Sequence, residues 1–131
     1  MIIEDYVSFE TAKLLKEKGF DEGVLFTINR EGFQQYPKNL EFEYLHNSEV
    51  SADEYAAPTL QMAMKWLREV HNYDVSICLD SYVEPYDNQY YIVIRRRKDK
   101  YENISPCEQV YFDTYEEAAE AGIKFCLENL I

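Results

Sequence analysis

The chain has 131 residues, 47% of them hydrophobic and 15% aromatic, enough apolar material for one domain to bury about two-thirds of its unfolded surface. Its 25 acidic residues against 13 basic ones give a formal charge of -12, which sets the surface against nucleic acid and anionic membranes and excludes a general DNA or RNA binder. The carboxylates are scattered along the whole chain, so the acidity reads as solubility rather than as a polyanion mimic built on one face.

In chain order, the opening "MIIEDYVSF" carries acids at positions 4 and 5, with no basic stretch and no long apolar run. It reads as neither a signal peptide nor a membrane span. "SFETAKLLKEKGF" predicts a short helix, with Ser8 as N-cap, Gly19 as the terminating residue, and Phe9, Ala12 and Leu15 as a narrow apolar stripe. "GVLFTI" (23–28) predicts a strand, "NREGFQQYPKN" a turn-rich connection, and "LEFEYL" (40–45) a second strand with Leu40, Phe42 and Tyr44 facing inward. These two strands are expected to pair as an antiparallel hairpin, followed by a polar loop over "HNSEVSADEYAA".

"APTLQMAMKWLREVHN" predicts the middle helix. Leu60, Ala63, Met64, Leu67, Val70 and His71 fall in one arc, with Trp66 at its edge and Pro58 in the first turn. "DVSICLD" and "QYYIVIRRR" read as strands around a turn-like "EPYDN", and "KDKYENISPCEQ" reads as a mobile loop before a short "VYF" strand. The last helix starts at Thr114, which with Glu117 has capping-box spacing. Ala118, Ala119 and Gly122 form a small-residue side that lets this helix approach a sheet closely. The order α-β-β-α-β-β-(β)-α places the chain in the α+β class. The expectation is a single domain over 1–131, with a mostly antiparallel sheet of four to five strands and three helices packed mainly on one face.

Chemistry-bearing motifs are scarce. His71 sits at a helix exit, where a histidine meets the last carbonyls, and no metal-ligand spacing accompanies it, so no metal site is expected. Cys78, Cys107 and Cys126 are too far apart for a redox or zinc motif and read as reduced thiols, which points to the cytoplasm. With four glycines and no nucleophile elbow or phosphate loop, neither a catalytic residue nor a cofactor is indicated.

One run stands out against the acidic background. "RRRKDK" (95–100) holds five of the thirteen basic residues at the end of the "YYIVI" strand. Arg95 and Arg97 are expected to share a face with Tyr91 and Val93, with Arg96 on the other. Arginines beside tyrosines can clamp an anion and stack on a ring, so Arg95, Arg96, Arg97, Lys98 and Tyr91 are the candidate ligand-binding residues. The plainer alternative is a charged run that guards a sheet edge.

Taken together, "SFETAKLLKEKGFDEG", "APTLQMAMKWLREVHN" and "FDTYEEAAEAGIKFCLENLI" resemble a group of small uncharacterised proteins encoded by phages, prophages and mobile elements of gut bacteria. The resemblance covers the three helices and brings no catalytic residues. It implies a protein that acts by binding in a bacterial host cytoplasm. Three functions stay open. The first is a non-enzymatic protein that sequesters an anionic small molecule, such as a nucleotide signal of host defence, at the Arg95–Lys98 strand end. The second is an acidic interaction module that blocks a basic host protein. The third is an enzyme of unrecognised type. Homo-oligomerisation is compatible with all three, while direct nucleic-acid or membrane binding is not expected.

Overall fold

Ser8 opens the first helix, as its place in the sequence predicts. The computed structural model describes residues 1–34, 44–80, 88–97, 102–104 and 110–131, and the chain divides into two units, Met1–Gln61 and Met62–Ile131. The class is α+β: three helices accompany antiparallel strands that fall into two three-stranded sheets, where the sequence pattern had suggested one.

In the first unit, α1 (Phe9–Glu17) begins where the Ser8 hydroxyl accepts the Thr11 N–H at 3.3 Å. It ends in a Schellman motif. Gly19 takes φ 92°, its N–H bonds to Lys16 O, and the Phe20 N–H bonds to Leu15 O at 2.9 Å. Thr11, Ala12 and Leu15 are buried, while Phe9 is half-buried. Strands β1 (Thr27–Asn29), β2 (Gly32–Gln34) and β3 (Tyr55–Ala56) form an antiparallel sheet in the order β2-β1-β3, with α1 against β1 and β3.

The first hairpin differs from the expected one. β1 turns through Arg30 and Glu31 alone and pairs at once with β2, which the sequence had assigned to a connection. Asn29 makes this turn tight, since its side-chain oxygen accepts the Glu31 N–H at 2.9 Å. Among the described residues, the 23–28 and 40–45 segments meet as a bridge between Val24 and Leu45, with N···O distances of 2.9 and 2.7 Å. The inward positions expected at Leu40 and Phe42 lie outside the described residues. β3 falls inside the segment expected to be a polar loop, and it forms because Asn47 reaches under it. Asn47 is 6% exposed, donates to Phe20 O at 2.7 Å and accepts the Ala56 N–H at 2.8 Å.

α2 (Leu60–His71) carries the chain into the second unit. Its buried residues include Ala63, Met64, Trp66 and Leu67. Trp66, at the edge of the expected arc, packs inward at 6% exposure, whereas Val70 departs from the helical-wheel expectation at 54%. Pro58 is not in the first turn. It precedes the helix in an extended stretch, where its carbonyl accepts the Val7 N–H at 3.1 Å. Asn72, at φ 64°, then reverses the chain into β4.

In the second unit, β4 (Tyr73–Asp80) pairs along its whole length with β5 (Gln89–Arg96), and β6 (Glu102–Asn103) pairs with the far end of β5. β5 is therefore the central strand. α3 (Tyr115–Asn129) starts where the Thr114 hydroxyl accepts the Glu117 N–H at 3.1 Å. It packs on β4 and β5 through Ala118, Ala119, Gly122, Ile123, Cys126 and Leu127, all buried. The close approach expected from the small residues is present: a Cβ at Gly122 would lie 2.7 Å from Val75 Cγ1. The "VYF" segment contributes a single bridge, Phe112 to Tyr90.

Candidate functional site

The Arg95–Lys98 run is divided by the pleat of its strand. Successive residues of β5 face opposite sides, so Arg95 shares a face with Tyr91 and Val93, and Arg96 lies on the face that carries α3. Arg96 sits over the Tyr73 ring, 5.8 Å from its centroid. Arg97 has left the strand and is exposed, its N–H bonded to Asn72 O at 2.7 Å. Lys98 lies outside the described residues.

Tyr91 is four positions from Arg95, or roughly 13 Å along an extended strand. It stands opposite Cys78 and makes an edge-to-face contact with Tyr111 at 6.1 Å. The Cys78 thiol beside it pushes its phenol pKa up. Tyr91, Arg95 and Arg96 thus share a strand, with Arg97 just beyond its end, but the three arginines and Tyr91 share no single face. Nor do the arginines guard an edge, because β6 covers β5 at Arg95 and Arg96.

The other residues weighed for chemistry are held structurally. The His71 ring stacks edge-to-face on Trp66 at 4.6 Å, its Nε2 is buried without a hydrogen-bond partner among the described residues, and burial lowers its pKa. Burial pushes the Cys126 thiol up to about 12, which leaves it without thiolate character. His46 faces the Asp21 carbonyl through Nδ1 at 2.6 Å, which raises its pKa. Asp21 in turn accepts the Ser48 N–H at 2.7 Å, which lowers its own. Among the described residues, no group of His, Cys, Asp and Glu is placed to hold a metal ion.

The first unit contains a cleft of about 640 Å³, within the range that accommodates a small ligand. Phe9 and Lys13 of α1 form one wall. The tip of the β1–β2 hairpin supplies Arg30 and Glu31, and the segment before β3 supplies Asp53 and then Tyr55. Phe9 and Tyr55 meet edge-to-face at 5.5 Å and make an aromatic floor.

Lys16 builds this cleft rather than lining it. Its ammonium donates to Ser51 O at 3.0 Å and Glu54 O at 2.9 Å and lies 5.3 Å from the Tyr55 ring centroid, fixing the 51–54 segment against α1. Around the floor stand two cations and two carboxylates. Lys13, Arg30, Glu31 and Asp53 are all exposed, and none is in an ion pair with a described residue. On a chain of net charge -12, a cleft whose described charged residues are two cations and two carboxylates is a local relief of negative potential.

Sequence reasoning missed this site because its parts come from three segments far apart in the chain, residues 9–13, 29–31 and 52–55. One signal was available: Asn29 and Gly32 bracket two residues between apolar stretches, which is hairpin spacing and would have placed Arg30 and Glu31 at a tip. Among the described residues, no helix is long and apolar enough to cross a membrane. No protein-family model, curated protein or solved structure matches the chain.

Proposed function

We propose that this chain is a non-enzymatic binding protein that holds a small molecule with an anionic group and a planar ring in the cleft between α1, the hairpin tip and the 52–55 segment. One observation carries the reading: Lys13 and Arg30, in no ion pair with a described residue, stand beside an edge-to-face aromatic pair in a ligand-sized cleft. Cations that form no internal ion pair retain their binding capacity, and an aromatic floor adds stacking to it. The described residues lining the cleft offer charged and aromatic groups suited to recognition: Lys13, Arg30, Glu31, Asp53, Phe9 and Tyr55. Sequestering a nucleotide-type signal, the role implied by the resemblance to mobile-element proteins, is one biological use of such a site.

Isothermal titration with a panel of nucleoside monophosphates and aromatic carboxylates tests the reading. Binding by at least one panel member is expected. Lys13→Gln with Arg30→Gln should abolish it, while Arg95→Gln with Arg97→Gln should leave it intact. Loss of binding in the Arg95 and Arg97 variant alone would move the site to the β5 strand end. A panel without any binder would refute the proposal.

A further inference from the structure

Glu31 and Asp53 are as much part of the cleft as the two cations, and a site for a plain anion would not hold them. We infer that the ligand is amphoteric: an anionic group at Lys13 and Arg30, a planar ring on Phe9 and Tyr55, and a donor-bearing nitrogen group that reaches Glu31 and Asp53. The inference deepens the proposed function and rests on it.

Charge balance carries the first step. Two carboxylates stand beside two cations in one cleft, none of the four paired with a described residue. A polyphosphate placed there would meet as much repulsion as attraction, and the surrounding net charge of -12 adds to the repulsion. One negative group is the load this cleft can balance. Hydrogen-bonding chemistry carries the second step. An ionised carboxylate only accepts, so what satisfies Glu31 and Asp53 must donate N–H bonds, either from an amino-substituted base edge or from an ammonium group.

Local geometry carries the third step. The Glu31 backbone N–H is held by Asn29 Oδ1 at 2.9 Å, and the segment bearing Asp53 is held on both sides by the two Lys16 bonds. Both carboxylates therefore project from held backbone, so the ordering cost on ligand arrival falls on their side-chain rotamers rather than on the main chain. An amino-bearing nucleoside monophosphate and an aromatic amino acid share this chemistry, and matched probes separate the two sources.

The experiment is isothermal titration of the full chain with two probe pairs. Guanosine and inosine 5′-monophosphates differ in one exocyclic amine, and L-phenylalanine and 3-phenylpropionate differ in one ammonium group. In at least one pair the donor-bearing member should bind about tenfold or more tightly, in line with what a carboxylate paired with a base-edge amine discriminates. Glu31→Gln with Asp53→Asn should erase that preference. Both positions are exposed and the Asn29 bond to the backbone is retained, so the variant should keep its far-UV circular dichroism. The pair that shows the preference identifies the source of the ligand. Equal binding within both pairs would overturn the amphoteric assignment and leave the cleft as an anion site. Absence of binding by all four probes would overturn the assignment together with the reading beneath it.

Discussion

Replacing Asn47 by Ala tests the frame that positions the cleft. Asn47 is 6% exposed, and its side chain does two jobs at once: Nδ2 donates to Phe20 O at 2.7 Å, and Oδ1 accepts the Ala56 N–H at 2.8 Å. Truncation removes the Asn47 bond to Phe20 O, a loss of ~0.5–1.5 kcal/mol, and leaves the buried Ala56 N–H without its Asn47 acceptor, which costs a further ~1–3 kcal/mol. The loss should therefore be roughly 1.5–4.5 kcal/mol. With a urea m-value of ~1–3 kcal/mol/M, the midpoint followed by far-UV circular dichroism should fall by roughly 1–3 M. Hydrogen exchange localises the effect, because the Ala56 amide should lose its protection while the amides of α3 retain theirs. A midpoint shift below about 0.3 M, or unchanged protection at Ala56, would refute the reasoning.

Other outcomes follow from single contacts. Gly122→Ala sets a Cβ 2.7 Å from Val75 Cγ1 and 3.2 Å from Ile92 Cγ2, so crowding of ~1–3 kcal/mol should outweigh the ~1 kcal/mol that alanine adds to a helix. Thermal melts should show net destabilisation, relieved in part by Val75→Ala; an increase in melting temperature for Gly122→Ala alone would contradict the packing. Thr27 is fully buried and its hydroxyl has no hydrogen-bond partner among the described residues, so Thr27→Val should be neutral or stabilising by up to ~1 kcal/mol in urea titrations. A clear loss would mean that the hydroxyl is bonded.

His46 has its pKa raised above 6.5, first by the Asp21 carbonyl and then by the charges of Glu49, Asp21 and Glu22. A raised folded-state pKa means that its stabilisation is complete below 6.5 and disappears as pH rises through the folded value. The imidazole resonances should titrate with a midpoint above 6.5, and His46→Gln should flatten the stability profile in that window. A midpoint at or below 6.5 would contradict the Asp21 contact.

What was legible in the sequence is what local chemistry decides. Ser8, Gly19 and Thr114 mark helix ends because capping involves residues only a few positions apart. Gly122 announced a close helix–sheet contact because little else explains a small-residue side on an otherwise apolar helix. Strand partners were harder. The β1–β2 turn has Arg30 and Glu31 where the strongest hairpin signal has Asn-Gly, and β3 owes its place to Asn47, nine residues away in the chain.

The functional reading moved for a related reason. Residues 95–97 are neighbours in sequence, but alternation on β5 and the end of the strand send them in different directions. Lys13, Arg30 and Asp53 are scattered in sequence, and the fold brings them to one cleft. Contiguity in a strand separates side chains, and chain reversal gathers them.

The most direct measurement is a titration of the ¹⁵N-labelled chain with guanosine 5′-monophosphate, followed by amide chemical shifts. Binding in the cleft should move the resonances of Phe9, Lys13, Arg30, Glu31, Asp53 and Tyr55 along one saturable isotherm and leave Tyr91, Arg95 and Arg97 in place. Shifts confined to Tyr91 and the arginines of β5 would contradict the assignment of the site to the first unit.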